Sequence, residues 1–317
     1  MNRRYYITFP GRGGYNYARV GGATHKLYMN KIATLAFATY GETIRRPLYY
    51  ILLICFAAAI FLSKFLTLFS FYQEMNLVRE MGVATLIFWG FIITAVLSGV
   101  VVTQELEDRT AVTLLSKPLR RHEFLLGKFA GLLLSLVPGL LILGCVLLLT
   151  LWTMALPHLP FRDADLMRDV DGGASPFAST WSVVWHAFLR TQGSSVFSGV
   201  LLAFLNAAIL AAVAVSLSAF FPVVVSVSAT AFVFVLGNLS GYMLASLERL
   251  GWPALDFAGR LVSYLLPNLG YFNLQSHFSE GTILSIRYLG LASLYAVLYV
   301  GAVFLVACSL FEKREVR

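Results

Sequence analysis

Residues 191 to 247 read TQGSSVFSGVLLAFLNAAILAAVAVSLSAFFPVVVSVSATAFVFVLGNLSGYMLASL, and none of these 57 residues is charged. A single helix of that length would extend about 86 Å, whereas the hydrocarbon core of a bilayer is about 30 Å thick. The stretch therefore has to fold into two membrane-spanning helices. Pro222 follows the aromatic pair Phe220-Phe221 near the middle, and it predicts a tight turn over Phe220–Val223 between the two spans.

The chain as a whole is also apolar, since 58% of all residues are hydrophobic and only 13% are charged. A soluble domain averages roughly 25% charged residues, so lipid is the solvent that this composition favours. The sequence predicts an all-α integral membrane protein with one six-span domain over 48–311, between a tail of residues 1–47 and a tail of residues 312–317. The predicted spans are 48–71, 82–103, 129–156, 195–219, 224–247 and 288–311.

Six spans put both termini on one side, and the basic residues indicate which side. Segments 1–47, 104–128 and 312–317 carry 16 of the 24 Lys and Arg residues. Because Lys and Arg accumulate in cytoplasmic segments, we expect cytoplasmic termini. This placement also explains the net charge of +8 without a nucleic-acid partner, and we expect none. The basic, acid-free leader resembles an organellar transit peptide, but a cytoplasmic tail explains it without further assumption and is preferred, and no signal peptide is expected.

Two segments outside the spans carry apolar residues. Leu27–Arg46 has apolar positions spaced between charged ones, which suits a helix lying in the cytoplasmic interface; the alternative is a disordered basic tail. Leu261–Leu266 and Leu269–Leu274 flank Pro267-Asn268 before the last span. These runs are too short to span, so they predict a re-entrant or interfacial hairpin.

Motifs for metal chemistry are weak. The outer loop 157–190 holds four aspartates at spacings of two and four, but it lacks the glycine and the terminal glutamate of a calcium loop, so a solvated loop is the better interpretation. His122-Glu123 begins like a zinc-protease helix, yet Leu126 stands where the second histidine is required. We expect no metal and no cofactor. The three cysteines lie in apolar runs and are interpreted as small core residues, namely Cys55, Cys145 and Cys308.

Motifs for nucleotide chemistry are incomplete as well. Gly127-Lys128 echoes a phosphate loop, but His122 occupies the upstream glycine position and Phe129 the Ser/Thr position. Spans two to six, as bounded above, contain no charged residue; Asn206 and Asn238 are the most polar side chains at depth and are expected to bond between helices. If the chain moves a substrate, the energy has to come from another protein.

The loop 104–128 between spans two and three is the most informative segment. It predicts a helix from Glu105 to about Ser116, a break at Lys117-Pro118, and a second helix leading into span three. An apolar stripe runs through it among charges of both signs, which suits docking onto a protein; its members are Leu106, Val112, Leu115 and Leu119. The plain alternative is an ordinary charged hairpin between two spans.

This loop resembles the loop of type-two ABC exporter permeases. The resemblance rests on an acidic residue, a Thr, Leu-Leu-Ser, a Pro, a basic residue and Gly-Lys, here Glu105, Thr110, Leu114-Leu115-Ser116, Pro118, Arg121 and Gly127-Lys128. It extends to the layout, with Arg45-Arg46-Pro47 before span one and Leu266-Pro267-Asn268 in the last outer loop.

The resemblance implies a permease subunit of the bacterial cytoplasmic membrane that exports a substrate. In that family the loop is a coupling helix that docks on a separate ATP-binding cassette ATPase, and a second permease copy or a related permease completes the membrane part. The chain itself is then not an enzyme. The implied coupling residues are Glu105, Arg109, Thr110, Leu115, Ser116, Pro118 and Arg121.

Two other classes of function stay open at this point. A membrane-embedded enzyme, such as an intramembrane protease or a lipid transferase, would need a polar catalytic pair at depth, and the sequence displays none. A membrane scaffold without transport activity would need no such pair.

Overall fold

A computed structural model describes residues 7–11, 14–18, 23–66, 74–107, 121–155, 192–250, 266–273 and 286–313. The elements in chain order are β1 (Ile7–Gly11), β2 (Gly14–Ala18), α1 (Ala23–Arg45), α2 (Pro47–Leu66), α3 (Glu74–Glu107), α4 (Arg121–Ala155), α5 (Ser194–Ser218), α6 (Val223–Leu250), a short 3-10 helix (Leu269–Phe272) and α7 (Ile286–Lys313).

The tail begins with a feature that the sequence analysis did not contain. Strands β1 and β2 pair antiparallel, with Ile7 opposite Ala18 and Gly11 opposite Gly14. The helix predicted over Leu27–Arg46 is confirmed as α1, which begins four residues earlier, at Ala23. Its position in the membrane interface stays a prediction.

Six helices within the described residues are long and apolar enough to cross a membrane, which agrees with the predicted number. The chain is therefore a helical, multi-pass membrane protein, while its orientation stays a prediction. The candidate spans are Pro47–Phe65, Met75–Val101, Glu123–Ala155, Ser194–Ser218, Val223–Ser240 and Ile286–Ser309.

Helix α5 lies at the centre of the bundle. It packs against α3, α4, α6, α7 and the 3-10 helix. Its sequence is rich in Ala and Ser, and these small residues let neighbouring backbones approach closely. The tight turn predicted at 220–223 is confirmed, because α5 ends at Ser218 and α6 begins at Val223. The hydroxyl oxygens of Ser218 and Ser226 lie 2.7 Å apart and join the two helices across that turn.

The apolar segment before the last span is partly described. Leu269 and Phe272 of the 3-10 helix are fully buried. A side chain at Gly237 of α6 would come within 2.7 Å of the Pro267 carbonyl oxygen, so the segment lies directly on that helix. The backbone N–H of Asn268 also donates to the Tyr295 hydroxyl of α7 at 2.9 Å. The segment thus packs into the bundle; the remaining residues of the predicted hairpin, 261–265 and 274, lie outside the described residues.

The interpretation of the cysteines as core residues is wrong for two of them. Cys55 of α2 and Cys145 of α4 are exposed, and Cys308 of α7 is half-buried. An apolar run in a membrane helix does not by itself indicate the core, because a helix surface that faces lipid is equally apolar. None of the three forms a disulfide within the described part of the chain.

Candidate functional site

The predicted coupling loop is described at its two ends. Glu105 lies in the last turn of α3, and Arg121 is the first residue of α4. The second predicted helix, leading into span three, is confirmed as the start of α4. The break at Lys117-Pro118 and the other predicted coupling residues lie outside the described residues: Arg109, Thr110, Leu115, Ser116 and Pro118.

At the end of the loop and in the helical turn after it, α4 packs tightly against α1 through two glycines. A side chain at Gly127 would come within 2.6 Å of Leu35, and one at Gly131 within 2.7 Å of the Ala36 carbonyl oxygen and 2.5 Å of Thr39. The Gly131 contact involves backbone, which cannot move aside as a flexible side chain could. Only glycine therefore permits this approach, and α1 rests on the part of α4 that directly follows the loop.

A small group of charges lies at the same junction. Glu42 of α1 accepts a hydrogen bond from Arg46 at 2.6 Å, and its other carboxylate oxygen lies 3.9 Å from the ammonium nitrogen of Lys128. The Lys128 side chain is only 2% exposed, whereas that of Glu42 is 38% exposed. The Phe124 ring lies 5.7 Å from the same nitrogen. A lysine buried this deeply needs neighbouring negative charge and π-electron density.

Gly127-Lys128 thus has a structural role that the motif comparison did not suggest. Both residues lie in the interior of α4, whereas a phosphate loop needs its glycines in a loop that precedes a helix. Gly127 allows α1 to approach α4 closely, and Lys128 lies near the Glu42 carboxylate of α1. Glu123, one turn before Gly127, is 2% exposed and so belongs to the packed part of α4.

The two intramembrane asparagines do not pair between helices as predicted. The Asn238 amide donates to the Phe234 carbonyl oxygen, one turn earlier in its own helix, at 2.9 Å. Asn206 of α5 is fully buried, and within the described residues neither its amide nitrogen nor its amide oxygen has a hydrogen-bond partner. Sequence alone identifies a polar residue at depth, but the partner depends on how neighbouring helices rotate.

The span boundaries also need correction, because the helices extend beyond the uncharged runs. Arg79 and Glu80 lie within the candidate span Met75–Val101, and Glu123 and Lys128 within Glu123–Ala155. Arg79 is 5% exposed and donates to Asn76 at 2.9 Å and to Gln192 at 3.5 Å. The statement that spans two to six carry no charge holds only for the shorter predicted bounds.

A cleft of about 530 Å³ lies between α2, α3 and α6. Its walls include the rings of Phe56, Phe88 and Phe234 and the amides of Asn238 and Asn273. Phe234 stacks on Phe91, with ring centroids 4.2 Å apart and planes 7° apart, so it is held in position from behind. The cleft can contact apolar or aromatic surface and offers two amides for orientation. No sequence motif pointed to it, because its residues come from four separate segments.

Chemistry that needs a metal has no visible support in the described part of the chain, where no three His, Cys, Asp or Glu side chains are grouped closely enough to hold an ion.

Comparison with protein-family models found no match, and neither did comparison with curated proteins. The geometry of the site has one consequence. The close packing at Gly127 and Gly131 holds the start of α4, at the end of the loop, against α1.

Proposed function

We propose that the chain is the membrane permease subunit of an ATP-binding-cassette exporter, driven by a separate ATPase that docks on the loop 104–128. The loop sequence, with Leu115 as apolar anchor among charges of both signs, supports the docking role. The six apolar helices support the permease role. In the proposed assembly two permease subunits, identical or related, pair with two ATPase subunits.

The observation that carries the proposal is the tight packing at the end of the loop. An ATPase can favour one permease state over another only through an element that moves as a unit with the spans. The approach of Gly127 and Gly131 to α1 allows no gap, and Glu42 bridges Arg46 and Lys128. A displacement of the loop would therefore move α4 and α1 together.

The displacement would continue into span one, because α1 ends at Arg45 and α2 begins at Pro47. The backbone N–H of Tyr49 donates to the Arg46 carbonyl oxygen at 3.1 Å, and the Tyr49 hydroxyl donates to the Ser135 carbonyl oxygen of α4 at 2.9 Å. These bonds tie the start of span one to both of its neighbours. The cleft at Phe56 and Phe88 lies farther along the spans that would move, and we infer that the substrate contacts it.

The test is to look for an ATP-binding-cassette ATPase gene beside the gene of this chain, to co-express the two proteins and to compare three purified samples. We expect no ATP hydrolysis by the chain alone, hydrolysis by the complex, and a changed rate when the complex is placed in lipid vesicles. Stoichiometric nucleotide binding by the chain alone would contradict the proposal. A chain that acts only as a scaffold would leave the hydrolysis rate of its partner unchanged.

A further inference from the structure

A second pocket lies at the elbow where α1 ends and α2 begins. It encloses about 640 Å³, and its walls include Phe37, Gly41, Glu42, Arg45 and Arg46. The elbow exists because Pro47 starts a new helix and cannot continue the hydrogen bonding of α1. The pocket shares Glu42 with the contacts that join α1 to α4, because this side chain lines the pocket and also lies 3.9 Å from Lys128.

The depth of this pocket relative to the bilayer can be inferred from one of its lining residues. Pro47 lines the pocket and is also the first residue of the candidate span Pro47–Phe65. The end of a membrane-spanning helix lies at the lipid headgroups. The pocket is therefore at headgroup level, on whichever side of the membrane the N-terminus lies.

The charge of the pocket is positive. Arg45 and Arg46 contribute two guanidinium groups, and Glu42 contributes the one carboxylate among the lining residues. That carboxylate is already engaged by Arg46 at 2.6 Å and lies 3.9 Å from Lys128. Arg45 is exposed and has no ion-pair partner in the described part of the chain. Guanidinium groups favour phosphate, because the planar fork can donate two hydrogen bonds to it.

The pocket also has an apolar side. The Phe37 ring is 65% exposed, and the span that starts at Pro47 presents exposed apolar side chains at Ile51 and Ile54. A ligand that places an anion at the arginines and a hydrocarbon chain beside a membrane span would match both features. Free phosphate would match only the first.

We propose that the elbow pocket binds one anionic phospholipid, whose phosphate contacts Arg45 and whose upper acyl chain lies against Phe37. The inference concerns lipid binding by this chain and holds whether or not the chain is a transporter, so its test is separate from that of the proposed function.

The first test uses the purified full-length chain in detergent and a fluorescent phosphatidylglycerol as probe. We expect saturable binding of one lipid per chain, weakened about fivefold by Arg45→Gln, the change expected for one arginine near an anionic headgroup. The matched control is Arg287→Gln, an exposed arginine at the start of α7, which should leave the affinity unchanged.

The second test fills the pocket without altering its charge. A Cβ atom added at Gly41 would meet no atom within 4 Å, and Gly41 lines the pocket, so Gly41→Phe introduces a ring at the pocket wall. We expect this variant to fold normally and to lose saturable binding of the lipid. Gly290→Phe is the control, because Gly290 in α7 is equally open and lies outside the pocket.

Three results would overturn the proposal. The first is unchanged affinity in both Arg45→Gln and Gly41→Phe. The second is equal binding of a fluorescent phosphatidylcholine, which carries no net charge. The third is displacement of the fluorescent lipid by millimolar inorganic phosphate, since that would identify a site for the free anion.

Discussion

The ammonium nitrogen of Lys128 in α4 lies 3.9 Å from a carboxylate oxygen of Glu42 in α1, and the Lys128 side chain is 2% exposed. Because the lysine is buried and the glutamate is partly solvated, removing the glutamate leaves a charge that the interior accommodates poorly. The pair joins the helix that follows the loop to the helix that precedes span one.

This pair predicts a measurable coupling between two substitutions. Glu42→Gln should destabilise the protein, and it should do so less when Lys128→Met is already present. We expect a difference of about 0.5 to 1 kcal/mol, the range of partly exposed ion pairs. Thermal unfolding of the four proteins in detergent measures it. In the control cycle, Glu42→Gln and Lys64→Met should be additive, since Lys64 lies at the far end of α2.

The glycine contacts predict a strong steric effect at one position. Gly131→Leu would drive a side chain into the Ala36 carbonyl oxygen, and we expect a loss of about 1 to 3 kcal/mol of stability, as in other overpacked interiors. Gly301→Leu is the control, because a side chain there meets nothing within 4 Å. Equal unfolding temperatures for the two variants would show that α1 does not pack on α4 as described.

The buried amide of Asn206 predicts a gain in stability on substitution. Both of its polar atoms lack a hydrogen-bond partner in the part of the chain that the structure describes, so Asn206→Leu removes a desolvation penalty, and we expect a gain of about 1 kcal/mol. Ser218→Ala should instead lower the stability, because the Ser218 hydroxyl donates a hydrogen bond to the Ala214 carbonyl oxygen at 2.7 Å. Denaturation of both variants in the same detergent gives the comparison. A loss of stability in Asn206→Leu would mean that the amide has a partner in the membrane.

The charge distribution predicts the orientation. In a cysteine-free background, single cysteines at Ser175 and Thr113 should react with an impermeant thiol reagent from opposite sides of the membrane. The reason is that 16 of the 24 basic residues lie in the segments assigned to the cytoplasm. Reaction of both from the same side would rule out the six-span topology.

The fold was largely predictable from sequence because a membrane-spanning helix can be recognised by its length and its lack of charged residues. Residues 191–247 predicted two helices and their turn, and the turn lies where Pro222 indicated. Helix ends were less predictable: α3 begins at Glu74, eight residues before the uncharged run, and it includes Arg79, which is hydrogen-bonded to Asn76 and Gln192. Charged residues can therefore belong to a membrane helix beyond its uncharged run.

The site was predictable only in part, because the residues that pack against each other come from different segments of the chain. The motif residues Gly127 and Lys128 were identified, but their contacts with Leu35 and Glu42 of α1 depend on the rotation of two helices. The same reason explains why Asn238 bonds within its own helix. The elbow pocket combines Arg45 with the open space at Gly41, which no pattern of residue types indicates.

The most direct test of coupling through the loop is Leu115→Asp in the chain co-expressed with its ATPase. If Leu115 is the apolar anchor, the substitution buries an unpaired charge at the docking surface, so the ATPase should no longer co-purify while the membrane part stays folded. Thr113→Asp adds the same charge on the other side of the predicted helix and should retain the ATPase. If the Leu115→Asp protein still co-purifies with its ATPase and retains hydrolysis coupled to transport, the loop is not the coupling element.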